Sequence, residues 1–157
     1  MRTEEAAKAV IARLLAADKT LGTAESCTGG LVGKLLTDVP GSSAVYLGGV
    51  ISYTNGVKRA LLGVRGQTLD RYTAVSRETA AEMAEGARRA VGSSVGVGVT
   101  GLAGPDGDGS GRPVGLVYIS FSDGQQTDVR ELHLTGGRAE IRERAAEALL
   151  ELLLEKL

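Results

Sequence analysis

Between residues 4 and 17 (EEAAKAVIARLLAA) apolar positions recur every three to four residues with charged ones opposite, which predicts an amphipathic helix. Residues 20–25 are short and alternate apolar with polar, as a strand does. Gly29 to Asp38 return to helical spacing, and Pro40-Gly41 stops them. The run VYLGGVISYTN (45–55) is rich in β-branched and aromatic types and predicts a second strand. A short helix at about 56–62 and a longer one at 77–91 follow. SSVGVGVTG (93–101) predicts a third, buried strand ending in glycine, and 103–113 (AGPDGDGSGRP) is turn chemistry throughout. Two further strands, 114–122 and 127–134, meet at Asp123-Gly124, a hairpin signal. Helical spacing resumes at Arg138 and runs to Leu157.

This order of elements implies an α/β fold: a three-layer α/β/α sandwich around a mixed, mostly parallel sheet of about five strands, in one domain over 1–157. The first three strands are joined by helical crossovers and should run parallel. The terminal hairpin must contribute one antiparallel strand. In such sheets ligands gather beyond the carboxyl ends of the parallel strands.

Composition narrows the chemistry. Hydrophobic residues make up 43% of the chain but aromatics only 3%, so the core is expected to be aliphatic. A formal net charge of -1 supplies no basic field for nucleic acid. One cysteine excludes an intrachain disulfide framework and fits a reducing cytoplasm. One histidine and one cysteine cannot build a His/Cys metal cluster, so chemistry without metal or cofactor is the expectation. No apolar run reaches membrane-spanning length, and the reading is a soluble, cytoplasmic protein.

Three strand ends should share one edge of the sheet: Ala24-Glu25-Ser26, Ser52 to Asn55, and Val99-Thr100-Gly101. Ser26, Cys27, Thr28, Gly29 and Gly30 lead into a helix N-terminus, whose free N–H groups favour a phosphate or a developing oxyanion. Lys58 lies about one helical turn past the second strand end, over the same edge. Ser26, Tyr53 and Lys58 therefore form a candidate nucleophile, relay and base, with a lysine that burial must hold neutral near pH 7. Plainer roles exist for each. Ser26 or Thr28 can cap a helix, Tyr53 can pack, Lys58 can be solvated, Cys27 can be a small buried hydrophobe, and His133 can be structural.

The segments TAESCTGG (23–30), PGSSAVYLGGVISYTNGVK (40–58), VGVTGLAGPDG (97–107), RPVGLVYI (112–119) and GGRAEIRERAAEALL (136–150) occur in the order and register of the CinA C-terminal domain. The chain resembles that competence/damage-inducible family over nearly its whole length. The resemblance implies hydrolysis of the carboxamide of nicotinamide mononucleotide to nicotinate mononucleotide and ammonia, without metal, in an oligomer that is often a dimer. It implies Ser26 as nucleophile, Lys58 as base and Tyr53 as support, with backbone N–H groups from Cys27 to Gly30 at the oxyanion. Thr100, Gly101, Ala103 and Gly104 would line the nucleotide, with Asn55 beside them and Arg138 and Arg142 on its phosphate. Ser43 is a rival nucleophile. It is expected to begin the strand that Tyr53 ends, which puts it some 20–30 Å from Lys58 at about 3.3 Å per residue. A nucleotide-binding regulatory module without turnover is the competing reading. Phosphoryl transfer is disfavoured because no lysine follows Gly29-Gly30 in P-loop fashion.

Overall fold

In the computed structural model, which describes residues 2–157, five strands build one sheet. They are β1 (Leu21–Glu25), β2 (Tyr46–Ile51), β3 (Val95–Gly101), β4 (Leu116–Ser122) and β5 (Thr127–His133), in the spatial order β2-β1-β3-β4-β5. β1 runs parallel to β2 and β3, while β4 is antiparallel to both β3 and β5. The reversed strand is therefore β4 alone, and the expected mixed sheet within an α/β/α sandwich is present.

One face of the sheet is aliphatic. Val95, Val97 and Val99 of β3 and Val117, Ile119 and Phe121 of β4 meet α1 (Thr3–Ala17), α2 (Leu31–Thr37) and α6 (Arg138–Lys156) through Val10, Leu14, Leu36, Leu149 and Leu153, all buried. On the opposite face Gly96 and Gly98 leave much of β3 without side chains. A Cβ on Gly96 would lie 2.2 Å from Ala84 O, and one on Gly98 would lie 3.0 Å from Met83 Cβ. The helix α5 (Arg77–Val91) thus lies against the sheet backbone, fastened by Ser120 Oγ donating to Ala80 O at 2.5 Å. On its far side α5 approaches α3 (Asn55–Leu62) as closely, since a Cβ on Gly86 would stand 2.1 Å from Leu62 O. The glycines of β3 and α5 set where α3 stands relative to the sheet.

Three details differ from the sequence expectation. A seven-residue helix, α4 (Gly66–Tyr72), lies between α3 and α5, and it is too short for a hydrophobic period to show. Gly29-Gly30 do not open α2; both take positive φ, 60° and 107°, in the turn before it. Strand β2 is shorter than expected, because Ser42–Ala44 form a 3-10 turn before it and Ser52 leaves the ladder. No helix is long and apolar enough to cross a membrane among the described residues.

Candidate active site

The ends of β1, β2 and β3 meet at one edge, as their parallel register requires. Ser26, the first residue past β1, is held by its N–H on Val99 O at 3.0 Å. Beyond β2, Ser52 returns both N–H and Oγ to Glu25 O, at 2.7 and 3.2 Å. Thr54 then caps α3 by accepting from Val57 N at 3.4 Å. The first turn of α3 carries Lys58 back over the strand ends.

The Lys58 side chain is 1% exposed, although lysine is almost never so buried without an ionic partner. Its Nζ lies 2.9 Å from Ser26 Oγ, 2.7 Å from Ser52 O and 3.4 Å from Tyr53 O. Among the described residues, no carboxylate accepts from it. Burial pulls the ammonium down to about 8 from 10.5, with the Cys27 thiol opposing weakly. A neutral amine has two N–H bonds and one lone pair. The two carbonyls can take both N–H bonds and leave the lone pair aimed at Ser26 Oγ–H. Cys27 lines the same pocket, but burial pushes its thiol up to about 11, so it stays protonated and is a poor nucleophile.

The turn after β1 departs from expectation. The buried Glu25 carboxylate accepts from Thr28 Oγ1 at 2.7 Å and from the N–H groups of Gly30, Val32 and Gly33 at 3.2, 2.9 and 3.0 Å. Gly29 N–H donates to Ser26 O and Leu31 N–H to Thr28 O. The helix N-terminus is therefore already occupied by the protein's own carboxylate and cannot receive a phosphate. Among the described residues, the N–H groups of Cys27 and Thr28 are the two in this turn left without a protein acceptor.

A cavity of about 270 Å³ opens over the pair, near the lower end of ordinary ligand pockets. Ser26, Cys27, Lys58, Thr100, Gly101, Ala103 and Gly104 line it, as does Tyr53. Thr100 Oγ1 donates to Ala74 O at 2.8 Å, so it shapes the wall. Ser26 Oγ and Lys58 Nζ meet directly at 2.9 Å, and the Tyr53 phenol is turned to Arg138. Tyr53 is 60% exposed, and its phenol oxygen accepts from Arg138 Nη2 at 3.3 Å, while its backbone carbonyl faces Lys58. Arg138 also lines the cavity and donates to Gly104 O. Arg142 points elsewhere, into the carbonyls of Cys27 and Thr28. Asn55 and Gly29 are exposed and half-buried Gly30 lies with them outside the cavity wall. Ser43 is exposed in the 3-10 turn, at the far end of β2 from Lys58.

Sequence reasoning missed Ala74 and Val75, which precede α5, and Asp106 and Asp108 from the turn-rich loop, all on the cavity wall. The acidic composition of that loop was the available signal for the last two. A larger depression of about 580 Å³ between α1, α2 and α6 is lined by charged side chains such as Arg2, Lys34, Glu140 and Arg144, and its Lys34 is an ordinary exposed amine paired with Asp38. His133 pairs with Glu131 on an exposed edge.

Comparison with known proteins shows the family and the fold. The family described as the CinA C-terminal domain matches residues 3–157. A CinA-like protein of Leptospira borgpetersenii is 51% identical over 139 residues, covering 88% of this chain and 33% of its own length. One from Syntrophomonas wolfei is 47% identical over 145 residues, 92% of this chain and 35% of its own. The chain thus spans about a third of the length of the curated relatives it matches. Among solved structures, the competence/damage inducible protein CihA of Agrobacterium tumefaciens superposes with a TM-score of 0.93 at 41% identity, covering 98% of this chain and 94% of that one. The competence damage-inducible protein A (ComA) of Klebsiella pneumoniae gives 0.97 at 33% identity, covering 99% and 97%.

Proposed function

The chain belongs to the CinA C-terminal domain family, and from that premise we propose that it is an amidohydrolase that deamidates nicotinamide mononucleotide. Ser26 is the nucleophile and Lys58 its base. The observation that carries the reading is a lysine 1% exposed, with no carboxylate partner, whose Nζ stands 2.9 Å from a pocket-lining serine hydroxyl.

The chemistry follows from those contacts. Neutral Lys58 accepts the Ser26 Oγ proton as Oγ attacks the carboxamide carbon, and the carbonyl electron pair moves to oxygen. The N–H of Cys27, a residue of the cavity wall, stabilises that oxyanion. Collapse breaks the C–N bond, and Lys58 returns its proton to the leaving nitrogen, releasing ammonia. Water then attacks the ester carbon, Lys58 takes its proton, and protonation of Ser26 Oγ frees nicotinate mononucleotide. Arg138, the remaining pocket cation, is the partner for the phosphate.

The test is ammonia release from nicotinamide mononucleotide by purified protein in metal-chelated buffer. Ser26→Ala and Lys58→Ala are each expected to remove turnover by more than about a thousandfold, as removal of triad members does, while Ser43→Ala retains it. Activity surviving in Ser26→Ala but lost in Ser43→Ala would reassign the nucleophile. Micromolar binding without turnover in the wild type would mark a regulatory module.

A further inference from the structure

The connection between β3 and β4 brings two carboxylates, Asp106 and Asp108, to the wall of the cavity that holds Ser26 and Lys58. Both ends of this loop are tied down: Arg138 donates to Gly104 O at 2.5 Å, and Arg112 Nη2 donates to Tyr72 O at 3.1 Å. The two acids differ in what they already hold. Asp108 Oδ1 accepts from the Ser110 hydroxyl and from the Ser110 N–H at 2.9 Å, and these bonds keep its carboxyl below the usual carboxylate range. Among the described residues, the Asp106 carboxylate accepts no hydrogen bond and pairs with no cation. It is the free anion of the cavity wall.

The charges on that wall sort by what they can meet. Its cations are Arg138 and Lys58, and its anions are Asp106 and Asp108. Arg138 is matched to the phosphate, and Lys58 must be neutral to take the Ser26 proton. An N-glycosylated nicotinamide ring carries a full positive charge and also bears the carboxamide, so that charge enters the cavity together with the bond to be broken. A cation drawn out of water needs an opposing charge. Ser26 and Lys58, 8% and 1% exposed on the same wall, point to a ligand here independently of the loop. We propose that Asp106 is a specificity-determining residue that reads the ring charge, selecting a cationic pyridinium nucleotide over one with a neutral ring of the same outline. The inference rests on the amidohydrolase reading. Two consequences follow for the reaction. A pyridinium held beside Lys58 disfavours a like charge there and so favours the neutral amine. Hydrolysis leaves a carboxylate on the ring, which weakens the attraction to Asp106 and favours release of product.

The experiment measures binding by calorimetry in the full chain carrying Ser26→Ala, so that no turnover intrudes. The two probes are nicotinamide mononucleotide and its 1,4-dihydro form, which keeps the carboxamide, ribose and phosphate but has a neutral ring. Adding Asp106→Asn is expected to weaken the cationic form about threefold to tenfold, the worth of one close charge pair near a protein surface, and the dihydro form less than about twofold. Asp106→Glu keeps the preference. Comparing both probes across variants cancels any difference in ring shape. Raising the salt from about 0.05 M to about 0.5 M shrinks the preference in Ser26→Ala and leaves it unchanged once Asp106→Asn is added. Equal weakening of both forms, or none, would overturn the proposal. Tighter binding of both would also overturn it, since Asp106 would then face the phosphate.

Ammonia release by the wild type is read separately and keeps the two readings apart. Turnover of nicotinamide mononucleotide with no charge preference in Ser26→Ala overturns the role of Asp106 and leaves the amidohydrolase standing. A preference that Asp106→Asn abolishes, in a protein whose wild type releases no ammonia, supports Asp106 and overturns the amidohydrolase. Failure of Ser26→Ala to bind either form overturns the role of Asp106, and with no wild-type turnover it overturns both.

Discussion

Replacing Lys58 by methionine separates the electrostatics of the buried amine from its packing. Lys58 ionises at about 8 in the fold and at 10.5 when free. At about 1.4 kcal/mol per pH unit, keeping the ammonium in its 1%-exposed position costs the fold about 3 kcal/mol. The sign follows from proton counts. The unfolded chain holds the proton up to 10.5 and the folded chain releases it near 8, so between those values the unfolded state binds more protons and stability rises with pH. The cost is full below 8 and gone above 10.5. Methionine carries no such cost at any pH. In urea titrations, the stability of Lys58→Met relative to wild type is expected to fall by about 3 kcal/mol between pH 6.5 and pH 10.5. Taking the difference cancels the titration of every other lysine and tyrosine, and the hydrogen bonds lost at Ser26, Ser52 and Tyr53 set a constant offset. Over the same range, wild-type kcat/KM should climb with an apparent pKa near 8 and then level. A stability gap that stays flat across that range would refute the reasoning, because Lys58 would then ionise as an ordinary lysine and could not serve as base near neutrality.

Three further substitutions test other parts of the site. Tyr53→Phe should keep kcat within about threefold of wild type, because its phenol meets Arg138 and its carbonyl meets Lys58; a loss beyond a hundredfold in steady-state assays would restore the phenol as a relay. Glu25→Gln puts an amide N–H₂ against the donors of Thr28, Gly30, Val32 and Gly33, and denaturant unfolding should show a loss of about 2–4 kcal/mol. A change below about 0.5 kcal/mol would mean the carboxylate does not hold that turn. Gly86→Ala drives a Cβ to 2.1 Å from Leu62 O. It is expected to cost about 1–3 kcal/mol through overpacking and to lower kcat by moving α3, the helix that carries Lys58; unchanged kinetics would uncouple α5 from the site.

Much of this was legible in the chain because it depends on local pattern and strand order. Parallel strands place their carboxyl ends together, so Ser26 and Lys58 could be paired from spacing alone. The rest depends on long-range or three-dimensional facts. Glu25 reads as one more polar residue at a strand end, and only the tight Gly29-Gly30 turn brings α2 back onto its carboxylate. Arg142 lies 115 residues from Cys27, and helical periodicity cannot tell a guanidinium aimed at carbonyls from one aimed at a phosphate. The direction of the Tyr53 phenol was hidden for a similar reason: its place in the chain fixed its backbone near Lys58 but not where its ring turns. Asp106 and Asp108 occupy a stretch without any period, where composition alone hints at a contact.

The lone reversed strand has an evolutionary consequence. Because β4 runs against β3, the connection between Gly101 and Leu116 departs from and rejoins the sheet at the same rim, and its Asp106 and Asp108 overhang the cavity. Residues there can be exchanged, added or removed while every strand keeps its register and Ser26 keeps its lysine. Descendants of one scaffold can thus trade ligand preference through this hem of the fold, leaving the reacting atoms untouched.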